Sequence, residues 1–256
     1  MRQDAVSIDR FYAAPMGAAA ARILSGKISD LWGDASGLSV LGLGYPLPML
    51  EPFLTAKRCI AAMPAEQGAT RWSAPGRGVS TLLTDDHRLP FGDGLFDRVI
   101  VLHGLEETLS AKTMLREIWR IMAPEGRLVL AAANRRGLWA RAESTPFGHG
   151  RPWTRRQLTK LLAELFQVTA STHAVHMPPI PWPVIFRAAD AWERAGEVLS
   201  PGFGGVVLVE AVKRQYIQSR GSAAAPALGA IRAHKGAAAL PINQAPKSGR
   251  GPDSAG

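Results

Sequence analysis

His103 is the side chain best suited to acid–base chemistry in this sequence, because it directly follows the apolar run Arg98–Leu102, which is typical of a buried strand. An imidazole with a pKa near neutrality could take a proton from a hydroxyl or an amine. The alternative is that His103 only packs against a bound ligand. Cys59 is the only cysteine and lies in an apolar stretch, so we expect a buried core residue, no disulfide and no metal site.

A glycine-containing loop follows the earlier apolar run Ser39–Leu43. Gly42 and Gly44 precede Tyr45 and Pro46. Glycines at the end of a strand let the backbone bend sharply and approach a ligand without an intervening side chain. Proline fixes φ and has no N–H, so this loop meets only part of that requirement.

A third group of chemically able residues lies in the long segment 134–153, which is rich in glycine, arginine and aromatic residues. Loops of this composition on a rigid scaffold often determine specificity, and the arginines could hold an acidic or phosphorylated substrate. We therefore predict a substrate site that includes Asn134, Arg135, Trp139 and His149. Alternatively, the arginines are solvated and the tryptophans only fasten the loop to the core.

Short β-type runs alternate with helical patterns, and this alternation predicts parallel strands joined by helices. The clearest helix is Ala111–Met122, whose apolar residues recur every three or four positions, and Asp190–Leu199 is a second. The predicted fold is an α/β, Rossmann-like, doubly wound sheet of seven strands. The strands are Ser39–Leu43, Arg58–Met63, Ser80–Thr84, Arg98–Leu102, Arg127–Ala132, Gln167–His173 and Gly205–Val212.

The charge is unevenly distributed along the chain of 256 residues, whose net charge is +9. Seven bases and one acid lie from Lys213 onward, whereas the preceding residues hold 23 bases and 20 acids. The segment 218–256 is rich in Ala, Gly, Pro and Ser, a composition that cannot bury enough apolar area to fold. We predict one domain over 1–217 and a disordered basic tail over 218–256.

Two phrases at a fixed spacing carry a family resemblance. Leu89–Val101 reads LPFGDGLFDRVIV, and Leu115–Val129 reads LREIWRIMAPEGRLV. Together they resemble the type 11 family of class I methyltransferases that depend on S-adenosylmethionine. The resemblance implies S-adenosyl-L-methionine as cofactor and methyl transfer to a small-molecule acceptor.

The resemblance also implies roles for individual residues. Asp85 stands where the family has an Asp that accepts a hydrogen bond from the adenine amino group, and Asp86 adjoins it. Gly42, Gly44 and Tyr45 occupy the place of the family's glycine-rich loop, although Pro46 replaces its second glycine. We count these five positions, without Pro46, among the cofactor-binding residues.

Two further cofactor contacts follow from the resemblance. The family usually has an acid after the second strand that binds the ribose hydroxyls, but here that strand ends in Ala62–Pro64. Glu66 lies close enough to substitute. His103 is expected near the adenine. Tyr12 lies at a place from which related enzymes often fold an aromatic ring over the cofactor, and we count it among the substrate-binding residues; alternatively, this helix only docks Phe11 on the core.

The competing functions differ in what they require of the sequence. Pro46 and the missing ribose acid suggest a methyltransferase-like binding domain that has lost turnover. A nicotinamide dehydrogenase would need a glycine where Leu47 stands, and no nucleic-acid methylation motif or RNA-binding module occurs. We do not favour a nucleic-acid partner.

The location and the assembly of the chain are less constrained. No apolar run is long enough for a transmembrane segment, and no secretion signal is visible at the start, so we expect a cytoplasmic protein. The proline-stiffened segment Met177–Pro183 could form a lid over an apolar substrate or contact a membrane surface or a second subunit. The sequence does not indicate an oligomeric state.

Overall fold

A seven-stranded sheet organises the computed structural model, which describes residues 2–74 and 76–214. The strands follow the order β3-β2-β1-β4-β5-β7-β6. The predicted tail 218–256 lies outside the described residues, and the domain boundary at 217 stays a prediction. The strands are β1 Ser39–Gly44, β2 Arg58–Pro64, β3 Thr81–Thr84, β4 Phe96–Leu102, β5 Met122–Ala133, β6 Gln167–Ala174 and β7 Val206–Val212.

Seven α-helices occur in the described part of the chain, together with three short 3-10 turns. Helices α1 and α2 precede the sheet, and the others connect its strands. The helices are α1 Ala5–Ala13, α2 Pro15–Trp32, α3 Leu47–Leu50, α4 Ala111–Ile121, α5 Arg155–Leu162, α6 Pro183–Arg187 and α7 Ala189–Leu199.

The strand directions identify the functional edge of the sheet. Strands β1 to β5 pair in parallel, and β7 enters antiparallel between β5 and β6. The chain runs outward from β1 to β3 and then returns to β4 on the other side of β1. In such sheets ligands bind beyond the carboxyl ends of the strands, at the place where the strand order reverses.

Both faces of the sheet are covered, which explains why the central strands are continuously apolar. One buried cluster joins α1 and α2 to the sheet, with Leu24 and Ile28 fully buried. The other cluster packs α4 and α5 on the opposite face, with Leu115 and Leu158 fully buried. The sheet therefore holds its loops on a rigid two-sided core.

Helix α4 shows how the local sequence fixes an element. Ser110 caps its start, because the Ser110 side chain accepts a hydrogen bond from the backbone N–H of Thr113. The helix ends at Ile121, one residue before the predicted end, and β5 begins at Met122 rather than at Arg127. The pairing of β5 with β4 shifts register on this stretch, so an irregular leading segment extends the strand.

The sequence prediction of a doubly wound, seven-stranded α/β sheet is confirmed. All seven predicted strands are present, and apart from the start of β5 their ends differ by at most two residues. Among residues 2–74 and 76–214, no helix is both long enough and apolar enough to cross a membrane.

Candidate functional site

The glycine loop after β1 packs tightly against the end of β4. Gly44 has φ +91°, and a Cβ atom there would lie 2.1 Å from the carbonyl oxygen of Leu102. The next N–H, that of Tyr45, donates to the same carbonyl at 2.7 Å. Gly44 is therefore required by the contact between two strands, and the Tyr45 amide is already engaged within the protein.

Packing within the protein also requires a glycine at position 42. A Cβ atom at Gly42 would lie 2.3 Å from the Cβ of Pro46, so the proline ring occupies the space that the glycine leaves. Pro46 itself has no N–H to offer a ligand. The two glycines named from the sequence thus serve packing within the protein, Gly42 against Pro46 and Gly44 against the end of β4.

An aromatic cluster closes the edge above β1 and β4. The rings of Tyr12 and Tyr45 stack with their centroids 6.0 Å apart, and the Tyr45 hydroxyl donates to Asp9. The ring of His103 lies 4.7 Å from that of Phe147, and its Nε2 atom is 2.7 Å from the Tyr12 hydroxyl. The structure therefore brings together three residues predicted from the sequence: Tyr12, Tyr45 and His103.

Burial keeps this cluster neutral near pH 7. Desolvation, reinforced by the charge of His149, lowers the pKa of His103 to about 3. Desolvation also raises the pKa of Tyr12 well above its usual value, with Glu106 adding to the effect. A histidine with so low a pKa is a weak proton acceptor, so the geometry supports a packing and positioning role for His103.

Glu106 is a buried acid that the sequence analysis did not select. Its Oε1 accepts the backbone N–H of Ala133 at 2.8 Å, and its Oε2 has no hydrogen-bond partner in the part of the chain that the structure describes. Burial raises the pKa of Glu106 to about 7. A carboxyl with that pKa at the ends of β4 and β5 can hold or release a proton near neutrality. Its place just after His103 was the available sequence signal.

Beside the aromatic cluster, a hollow of about 340 Å³ opens over the ends of β2 and β3. Asp85, Asp86 and Glu66, all predicted from the sequence, lie on its wall together with Pro64. Asp85 and Glu66 are exposed, whereas the Asp86 side chain is only 6% exposed. Carboxylates around a half-open hollow can accept hydrogen bonds from amines and hydroxyls.

The N-terminal segment already occupies part of this hollow. The Arg2 guanidinium is buried, forms an ion pair with Asp86 and lies 3.4 Å from Glu66. The backbone N–H of Ala5 donates to the carbonyl of Gln67, whose buried side-chain amide has no partner among the described residues. The sequence analysis missed Arg2 because 84 residues separate it from Asp86.

Asp85, Asp86 and His87 offer oxygen and nitrogen atoms within 4.8 Å of one another. This arrangement alone does not make a metal site, because the positive guanidinium of Arg2 already pairs with Asp86. The carboxylates are instead connected to the N-terminus and to the His87 ring, whose Nδ1 is 3.3 Å from Asp86.

The predicted substrate loop divides into structural and accessible residues. Asn134 and Trp139 are buried: the Asn134 amide donates to two backbone carbonyls near Gly204, and the Trp139 indole donates to that of Met177 at 2.7 Å. Arg135 is exposed and donates to the carbonyl of Pro152. His149 is half-buried and lies 2.8 Å from the carbonyl of Glu143. None of the four lines the hollow over β2 and β3.

Solved structures share this architecture. A methyltransferase from Thermotoga maritima, described as dependent on S-adenosylmethionine and as a possible histamine N-methyltransferase, aligns with a TM-score of 0.58. The two chains are 18% identical, and the alignment covers 80% of this chain and 94% of that one. The cyclase SpnF aligns with a TM-score of 0.50 at 18% identity, covering 75% and 80% of the two chains. The described residues thus have the fold of class I, S-adenosylmethionine-dependent methyltransferases.

The sequence is similar to a family within this fold class. Residues 41–130 match the family model described as a methyltransferase domain. The demethylmenaquinone methyltransferase of Thermus thermophilus is 35% identical over 96 residues. That match covers 38% of this chain and 37% of the relative, little more than a third of its length. The resemblance drawn from Leu89–Val101 and Leu115–Val129 is confirmed.

Proposed function

We propose that the chain transfers the methyl group of S-adenosyl-L-methionine to a small-molecule acceptor. The observation that carries this proposal is the hollow of about 340 Å³ with Asp85, Asp86 and Glu66 on its wall. It lies at the carboxyl ends of β2 and β3, beside the place where the strand order reverses. In a fold of this class, that edge is where a nucleoside is expected to bind.

The nucleoside part of the cofactor fits the chemistry of this hollow. Its amine and hydroxyl groups are donors, and the carboxylates of Asp85 and Glu66 are exposed acceptors. The buried Asp86 pairs with Arg2, so that ion pair must rearrange if Asp86 is to contact a ligand. Bound S-adenosylmethionine would supply an activated methyl group.

The amino-acid part of the cofactor fits less well. In this structure Tyr12 and Tyr45 cover the end of β1, and the Tyr45 amide is bonded to Leu102. Helix α1 carries Tyr12 and precedes the sheet, so a displacement of α1 would remove the Tyr12 ring without disturbing a strand, and the Tyr45 ring would then have to turn away as well. We infer that the cofactor site is complete only after such a displacement.

The residues around the acceptor supply positioning and one titratable group. Tyr12 and His103 are neutral and buried, so they exclude water rather than exchange protons. Glu106, with a pKa of about 7 and a free Oε2, is the residue we propose to handle a proton from the acceptor. In the loop 134–153, Arg135 and His149 are the accessible candidates for acceptor binding.

A curated relative indicates the size of the acceptor. The Thermus relative is named for demethylmenaquinone, which is a small molecule, and the similarity to it favours an acceptor of that size. We also propose a cytoplasmic location, which the sequence suggested.

A second candidate function is a binding domain that does not turn over its cofactor. The observation in its favour is that Gly42, Gly44 and the Tyr45 amide are all used in the loop's own packing. SpnF, a protein of similar fold named as a cyclase, illustrates that the fold alone does not determine the reaction. This candidate predicts that a nucleoside binds but that the amino-acid part of the cofactor adds nothing.

Calorimetry on the full chain distinguishes these functions. S-adenosylhomocysteine is compared with 5′-methylthioadenosine, which lacks the amino-acid part. The enzyme proposal predicts at least about tenfold tighter binding of S-adenosylhomocysteine, equivalent to about 1.4 kcal/mol. Asp85→Asn should weaken both ligands, whereas Asp93→Asn, at an exposed acid paired with Arg120, should leave both unchanged. Equal affinities for the two ligands would favour the binding domain, and no heat at about millimolar ligand would exclude both functions.

A further inference from the structure

A second hollow, of about 510 Å³, lies between the loop after β5 and the start of α5. Its lining among the described residues contains no carboxylate and four nitrogen-bearing side chains that can carry positive charge. We call it the basic hollow; these four residues are Arg136, Arg155, Arg156 and His173.

The charges of the basic hollow are not neutralised from within the described chain. None of the ion pairs found among the described residues involves Arg136, Arg155 or Arg156. The pKa of His173 is lowered first by burial and then by the positive charge of Arg155. A concave surface with this charge favours an anion, and guanidinium groups match the geometry of phosphate.

An exposed apolar patch adjoins the basic hollow. Pro201 and Gly202 line the hollow, and the next residue, Phe203, is 59% exposed with the Arg136 guanidinium over its ring. Val198 and Leu199 end α7, five and four residues before Phe203, and are 80% and 82% exposed. The apolar patch consists of Val198, Leu199 and Phe203.

The acidic and the basic residues near the apolar patch differ in whether they form ion pairs. The three acidic residues of α7 form ion pairs with Arg22 and Lys27 of α2; they are Asp190, Glu193 and Glu197. Arg187 and Arg194 are exposed, and neither belongs to an ion pair of the described chain. The unpaired charge of this region is therefore positive.

We propose that the basic hollow and the apolar patch together dock the protein on an anionic phospholipid surface. The hollow receives a lipid phosphate, and Phe203 with Leu199 enters the boundary between headgroups and acyl chains. Arginines beside exposed aromatic and aliphatic side chains are typical of an interfacial surface. This proposal does not depend on methyl transfer.

Vesicle flotation of the full chain tests the charge component. The protein is mixed with phosphatidylcholine vesicles or with vesicles of phosphatidylcholine and phosphatidylglycerol in about equal amounts, and we expect binding only to the anionic ones. The triple variant Arg136→Gln, Arg155→Gln, Arg156→Gln should bind about 100-fold more weakly, because each base near such a surface contributes about 1 kcal/mol.

The matched control removes three exposed bases that do not line the basic hollow and form no ion pair with the described residues, through Lys57→Gln, Arg71→Gln and Arg116→Gln. This variant has the same net charge as the hollow variant, and we expect a distinctly smaller loss. Equal losses in the two variants would mean that net charge alone governs binding, and they would overturn the proposal.

A second pair of variants tests the apolar component at constant charge. Leu199→Ser with Phe203→Ser should weaken vesicle binding about tenfold, since the insertion of exposed apolar area is lost. Val79→Ser with Leu83→Ser changes two exposed apolar residues of another region and should have no effect. If the patch variant binds as the unchanged protein does, the patch is not a docking surface.

Two other occupants would each contradict the proposal. Inorganic phosphate that binds the hollow in calorimetry, in a protein that does not float with anionic vesicles, would indicate a soluble phosphorylated ligand. A dimer in light scattering that Leu199→Ser with Phe203→Ser converts to a monomer would indicate that a second copy covers the patch.

Discussion

The edge of the sheet above β2 and β3 differs in kind from the edge above β1 and β4, although both belong to the expected cofactor site. The first is a half-open hollow lined by carboxylates, about 340 Å³ in volume. The second is closed by stacked rings, with Tyr45 1% exposed and His103 5% exposed. The nucleoside half of a cofactor site is therefore open, and the amino-acid half is covered.

The comparison shows that neighbouring loops at one edge of a sheet can provide different environments for a ligand. On the open side the Asp86 carboxylate has polar partners in Arg2 and His87. On the closed side the backbone groups bond to each other, as Tyr45 does to Leu102, and burial leaves the ionisable groups neutral. A ligand can reach the exposed Asp85 and Glu66 of the first half directly, whereas the second half must first be uncovered.

Gly44→Ala should have the largest effect on the free energy of unfolding, because Gly44 lies in the closed half. The added Cβ would lie 2.1 Å from the Leu102 carbonyl oxygen at a residue with φ +91°. We expect the free energy of unfolding to fall by about 4 kcal/mol, from the steric clash and the backbone strain together. Urea unfolding followed by circular dichroism measures the loss.

Gly92→Ala is the matched control for Gly44→Ala. Gly92 is exposed, and a Cβ atom there would have no atom within 4 Å among the described residues. The unfolding free energy of the Gly92→Ala variant should stay within about 0.5 kcal/mol of that of the unchanged protein. Similar stabilities for the two variants would mean that the contact between the β1 loop and β4 is loose.

Glu106→Gln should have a smaller effect that depends on pH. The pKa of Glu106 is raised from 4.5 to about 7, so between these values the folded chain retains a proton that the unfolded chain has lost. The unfolding free energy contributed by this group therefore falls as pH rises through that window. The glutamine variant lacks this decline and should be more stable than the unchanged protein by about 2 kcal/mol at pH 8.

The pH dependence of the difference is the decisive measurement for Glu106. Chemical unfolding at pH 5 should show nearly equal stabilities, because the folded protein then holds Glu106 protonated. Glu143→Gln, at an exposed acid, is the control and should show no pH-dependent difference. A constant difference at both values of pH would show that Glu106 is ionised in the folded protein.

The fold could be predicted almost completely from the sequence, because it depends on local patterns. The apolar run Val99–Leu102 and the apolar stripe of α4 each indicate which of their residues are buried. The start of β5 was wrong because Pro124 and Gly126 normally interrupt regular structure, and here the strand continues through them with a register shift.

The candidate site was less predictable, because it depends on contacts between distant segments. The sequence could indicate Asp85 and Tyr12 separately, but not that Arg2 would cover Asp86 or that Tyr12 would meet His103 across 91 residues. It also could not distinguish a glycine needed for a ligand from one needed for packing, as at Gly44. That distinction requires the positions of atoms such as the Leu102 carbonyl oxygen.

Arg2→Gln should have the smallest effect and tests whether the open half is a ligand site that the N-terminus occupies. Loss of the guanidinium frees the carboxylates of Asp86 and Glu66, so S-adenosylhomocysteine should bind about three- to tenfold more tightly, a gain of about 1 kcal/mol. Arg10→Gln, an exposed residue of α1, removes the same charge and should not change the affinity. Calorimetry measures the affinity of each variant for S-adenosylhomocysteine under conditions in which the variant is folded. If Arg2→Gln instead weakened binding, Arg2 would be part of the ligand site rather than a competitor of the ligand. The hollow would then be a ligand site that needs no rearrangement of Arg2.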